Sequence, residues 1–78
     1  VQGGLIMTPD HHICIETLTT RERQIAEAIV RGLTNRQIGR EFGISGETVK
    51  RHLATIYGKL ALPGRVALAV HVLQSRAA

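Results

Sequence analysis

Between Thr34 and Leu60 the chain carries two helix-start signals separated by a single glycine turn. Thr34 followed three residues later by Gln37 forms a capping box, in which hydroxyl and amide satisfy each other's neighbouring backbone donors. A helix therefore begins near Asn35. Ile38 and Phe42, four apart, share one face of it, and Gly43 supplies the left-handed conformation that commonly ends a helix. Beyond this turn Ser45 can cap a second helix, in which Val49, Leu53, Ile56 and Leu60 recur at spacings of four, three and four. That stripe is expected to face a core, and the pair of helices has the form of a helix-turn-helix.

Gly39 sharpens this expectation. A glycine inside a helix costs up to about 1 kcal/mol relative to alanine, so something has to compensate for it. Two helices crossing steeply over a short turn bring backbones together where only a small residue fits. The competing account is a tolerated surface glycine.

A chain of 78 residues makes one domain with room for one modest core. No apolar run approaches the roughly 18 residues that span a bilayer, and no secretory signal opens the sequence, so a soluble cytoplasmic protein without membrane contact is expected. Cys14 is the single cysteine, which excludes an internal disulfide. His11, His12 and Cys14 lack the further ligands that a metal site needs. With no phosphate loop, paired-carboxylate site or nucleophile motif either, neither a cofactor nor an enzymatic activity is expected. Ten basic against six acidic residues give a net charge of +4, which favours a polyanionic partner.

Residues 1–17 contain Gly3, Gly4 and Pro9 and show no sustained helical spacing, so this part is expected to be an irregular linker, with His12–Glu16 a possible short extended piece. The chain opens on Val1 rather than methionine, which suggests that more protein precedes it. A first helix is expected after the capping box of Thr19 and Glu22, with Ile25, Ala26, Ile29 and Val30 on adjoining faces and an end at Gly32. Arg21, Arg23, Glu27 and Arg31 remain for solvent. Ala61-Leu62-Pro63-Gly64 interrupts the chain after Leu60, and a last helix is expected from about Gly64 or Arg65 to Ser75. Leu68, Ala69 and Val72 lie on one of its sides, and Val66, Val70, Leu73 and Ala77 nearly opposite. One apolar face uses the available core; the second calls for a partner, most simply another copy of the chain. Scattered surface valines are the plainer alternative.

With the stripe of the second helix turned inward, its other side shows Glu47, Arg51, Ala54 and Gly58, with Lys50 at the edge. Lys50 and Arg51 carry donors suited to guanine O6 and N7, and Ala54 is small enough to admit the helix or to meet a thymine methyl. Thr34, Asn35, Ser45, Thr48 and Thr55 are short polar residues near helix starts or flanking this face, suited to phosphate contacts that fix register. Capping by the same hydroxyls is compatible with that role. Arg36, Arg40 and Lys59 would add long-range attraction, and His52, nearer the inward edge, is expected to pack.

From Leu18 onward the sequence resembles the DNA-binding domain of LuxR-type (GerE-like) bacterial transcription regulators. The resemblance rests on Leu18-Thr19 with Arg21-Glu22, Gly32-Leu33-Thr34-Asn35 with Ile38, Ile44-Ser45, Thr48-Val49-Lys50 with His52, Ile56, Lys59-Leu60 and Arg65. It implies an all-α four-helix bundle over residues 18–78, whose third helix enters the major groove of double-stranded DNA and whose fourth forms a dimer. The residues matching Lys50, Arg51 and Ala54 would read bases. Val66, Val70 and Leu73 would pair two copies as a weak homodimer on an inverted-repeat operator. A preceding regulatory domain and RNA polymerase are the further partners that such a regulator implies. Departures from the family are Gly39, where alanine is usual, Gly64 before Arg65, and Ala67 in place of an acidic residue. Region four of sigma factors has a similar opening and motif, and a helical protein-docking module that never meets DNA is the rival from another class.

Overall fold

The computed structural model describes residues 17–77, and the expected linker, its extended piece and the His11, His12 and Cys14 group lie outside or almost outside that range. Four helices follow one another: α1 (Thr20–Val30), α2 (Asn35–Phe42), α3 (Gly46–Leu60) and α4 (Arg65–Ala77), with no strand among the described residues. The expected all-α bundle around a helix-turn-helix is present, and α4 runs two residues beyond the expected Ser75.

Each of the first three helices begins at a hydroxyl. Thr19 and Thr34 cap α1 and α2 in complete capping boxes with Glu22 and Gln37, and the Ser45 side chain accepts from the Thr48 N–H at the start of α3. Gly43 closes α2 in the left-handed conformation, with φ +70°. α3 ends at Leu60, as the break at Ala61-Leu62-Pro63-Gly64 predicts. Ala61, not a glycine, takes the left-handed position with φ 56°, and the Leu62 N–H reaches back 3.0 Å to the Tyr57 carbonyl.

The core consists of Leu18, Ile25, Ala26, Ala28 and Ile29 from α1 and its approach, Ile38 from α2, Val49, Leu53, Ile56 and Leu60 from α3, and Leu68 and Val72 from α4. The whole predicted stripe of α3 is buried. Ala28, which the sequence reading left out, joins the core because α1 is packed from two sides, by α3 and by α4.

Gly39 is buried at the α2–α3 crossing. A Cβ placed on it would stand 2.5 Å from the Ile44 carbonyl oxygen, 3.3 Å from the Ser45 carbonyl carbon and 3.4 Å from the Gly46 nitrogen. The close approach expected from the sequence is real, and the neighbour is the backbone of the turn and the first residue of α3. The Gly39 carbonyl also accepts from the Ile44 N–H at 2.9 Å, so the two strands of backbone are bonded where they touch.

Candidate nucleic-acid interface

Burying Val49, Leu53, Ile56 and Leu60 turns the other side of α3 outward, and Glu47, Lys50, Arg51, Ala54, Thr55 and Gly58 are all exposed. The helix thus presents two long cations and then two small residues, Ala54 and Gly58, with no bulky side chain between them at one-turn spacing. Thr48 and His52 are half-buried at the edge of this face. With Arg51 and Thr55 they line a shallow pocket of about 320 Å³.

The smaller polar residues are already organised by the fold. Thr34 Oγ1 accepts from the Gln37 N–H, which leaves its own hydroxyl hydrogen available. Ser45 Oγ and Thr48 Oγ1 lie 3.0 Å apart and share a hydrogen bond. Thr55 Oγ1 donates back to the Arg51 carbonyl at 3.3 Å, a common use of threonine inside a helix. Asn35 is half-buried and its Oδ1 accepts from Arg65 Nη1 at 2.9 Å.

Two side chains take places that the sequence did not disclose. Lys59, expected to attract a polyanion, instead binds the buried Glu22 carboxylate at 2.8 Å and the Thr17 carbonyl at 3.3 Å, so it belongs to the framework. Arg65 joins the start of α4 to the start of α2 by bonding Asn35 and, through Nη2, the Leu33 carbonyl at 2.8 Å. Only the position of Arg65 among the quoted motif residues hinted at a role. Arg31, Glu27 and Arg21, assigned to solvent, stay exposed or half-exposed but pair: Arg31 forks onto Glu41, Arg76 meets Glu27, and the Arg21 guanidinium sits 4.8 Å from the Phe42 ring centre.

The electrostatics follow from these pairs. Burial alone would raise the Glu22 pKa, but the hydrogen bonds from Lys59 and Thr19 and the Lys59 charge outweigh it and hold the carboxyl below its ordinary value. The hydrogen bond between Arg31 and Glu41 lowers the Glu41 pKa and raises that of Arg31. Burial pushes the Tyr57 hydroxyl up, against the pull of the nearby Arg65 charge.

On α4, Leu68 and Val72 are buried against α1, while Val66 is 75% exposed and Val70 and Leu73 about half exposed. The second apolar face expected from the sequence is present on the surface.

A capped helix pair held at a fixed angle by a glycine crossing, with a cationic and otherwise low-profile outer face, defines a helix-turn-helix domain. Residues 16–72 match the family described as "Bacterial regulatory proteins, luxR family". The chain belongs to that family, and is the DNA-binding domain of a bacterial transcription regulator. Among its relatives, the "Probable transcriptional regulatory protein SgaR" of Hyphomicrobium methylovorum is 46% identical over 63 residues, covering 80% of this chain and 30% of the relative. The "Transcriptional regulatory protein UhpA" of Escherichia coli (strain K12) is 39% identical over 72 residues, 86% of this chain and 37% of that protein. The "Nitrate/nitrite response regulator protein NarL" of the same organism is 42% identical over 62 residues, 80% of this chain and 29% of that protein. The chain therefore matches between 29% and 37% of the length of these relatives. No single described helix is long and apolar enough to cross a membrane.

Proposed function

We propose that residues 18–78 form a module that lays α3 in the major groove of an operator, as one half of a dimer, with residues 1–17 as the linker to a preceding regulatory domain. Lys50 and Arg51 donate to guanine edges, and Ala54 lets the helix approach or meets a thymine methyl. Thr34, Asn35, Ser45, Thr48 and Thr55 contact phosphates and set register. The observation that carries this reading is the opposition on α3 between a fully buried apolar stripe and an exposed Lys50-Arg51-Ala54 face.

Val66, Val70 and Leu73 pair two copies symmetrically, so the operator is an inverted repeat. The area on one helix is small, which makes the free dimer weak and leaves DNA to complete it. The regulator works in the cytoplasm, where it contacts RNA polymerase. The test is binding to duplex DNA over a salt series, with bound sequences first selected from a random pool. Affinity falls steeply with salt, and Lys50→Ala costs about 1–3 kcal/mol and relaxes preference at one position. Affinity indifferent to Lys50→Ala would overturn the assignment of Lys50 to base reading.

A further inference from the structure

We infer that Arg65 is a positioning residue for DNA binding, one that locks the Asn35 amide so that the group left to contact a phosphate is its N–H₂. This rests on the phosphate role proposed for Asn35. Asn35 is the first residue of α2 and Arg65 the first of α4, thirty residues apart in the chain.

A side-chain amide has one end that accepts and one that donates, and the two ends are nearly the same shape. A guanidinium only donates. With Arg65 Nη1 2.9 Å from the Asn35 side chain, the oxygen must face Arg65, because the flipped amide would set donor against donor. Nη2 bonds the Leu33 carbonyl at 2.8 Å at the same time, so the guanidinium plane is anchored to backbone two residues before Asn35. A planar fork held at two points orients its partner in a way that a point charge does not. Nδ2 is therefore turned away from Arg65, and it donates to no protein group among the described residues.

The consequence concerns sign. An unrestrained asparagine beside a phosphate samples orientations that present Oδ1, which repels the phosphate oxygens. The locked amide presents a donor alone, next to the unbonded N–H groups of the α2 start, where backbone amides favour an anion. Arg65 acts on DNA through Asn35 without needing to touch it.

The experiment is a double-mutant cycle on the 78-residue chain, read as affinity for short duplexes of selected and unrelated sequence. Arg65→Met lowers affinity about three- to tenfold for both duplexes, the span of one ordinary hydrogen bond, and the same change in an Asn35→Ala background has no further effect. Equal losses in both backgrounds would overturn the inference, since Arg65 would then act directly or through the fold. Should Asn35→Ala alone leave affinity untouched, the phosphate role itself fails; should it weaken binding while Arg65→Met does not, only the positioning role fails. Asn35→Asp supplies a readout that scaffolding would not move: the carboxylate still serves Arg65 and preserves the melting temperature, yet binding drops further than with Asn35→Ala. Wild-type affinity in Asn35→Asp overturns the inference. If Arg65→Met does not fold, Arg65→Lys carries the cycle, because it keeps the charge and loses the fork.

Discussion

Lys59 Nζ stands 2.8 Å from Glu22 Oε1 and ties the last turn of α3 to the first turn of α1. The same carboxylate oxygen accepts from the Thr19 N–H, also at 2.8 Å, so one buried acid both caps a helix and receives a cation from another. The angle of α3 is thus fixed at both ends, by Gly39 at its start and by Glu22 near its finish.

Removing the cation should therefore cost stability rather than DNA attraction. Lys59→Met leaves the Glu22 carboxylate with its cap alone, and the expected loss lies toward the lower end of about 1–3 kcal/mol, because Lys59 is itself partly exposed. In a domain of this size each 1 kcal/mol lowers the melting temperature by roughly 4–8 °C. An unchanged thermal midpoint would make the pair an ordinary screened surface contact.

The pH response has a definite sign. The folded-state pKa of Glu22 and of Glu41 is depressed, so their contribution is complete above the unfolded value of about 4.3 and is lost as pH falls through the lower folded values. Thermal stability should stay level from neutrality to about pH 5 as far as these two groups are concerned, then decline. Glu22→Gln should flatten part of that decline, and a decline of the same depth in the variant would assign the acid sensitivity elsewhere.

At the helix crossing, the Ile44 carbonyl must retreat before any side chain fits at position 39. Gly39→Val brings a branched side chain against bonded backbone, and a loss of about 1–3 kcal/mol is expected, with DNA binding falling along with it as α3 tilts. Denaturant unfolding measures the first and duplex titration the second. A variant as stable as the parent would show that the turn yields freely.

The two faces of α4 should separate cleanly under mutation. Leu68 is fully buried, so Leu68→Ala should cost about 2–5 kcal/mol in unfolding measurements. Val70→Asp should leave the fold intact and reduce cooperative occupancy of a two-half-site operator while sparing a single half-site. Equal damage to both sites would place Val70 with the core.

The starts of the helices were legible because capping is local: Thr19 with Glu22, Thr34 with Gln37 and Ser45 before Thr48 each act within three residues. The α3 stripe was legible because its spacing is helical and one side had to be dry. Gly39 signalled a close approach by being a poor helix former in a helix. What stayed hidden depends on how helices cross. Lys59 and Glu22 are 37 residues apart, and Arg65 and Asn35 are 30 apart, so no local pattern links them. Ala28 was missed because a small residue on an amphipathic helix announces no side, and Ala61 because a left-handed alanine is an uncommon way to end a helix. The exposed face of α3 could be derived from the stripe, but the division of its flanking polar residues between capping and contact could not.

The three hydroxyl caps also govern how quickly the domain comes into being. Helices that carry their own start signals search few alternatives, and small helical bundles fold in about microseconds to milliseconds. Synthesis adds only about 5–20 residues per second, so the bundle can close in the interval between one residue and the next once its last helix is free.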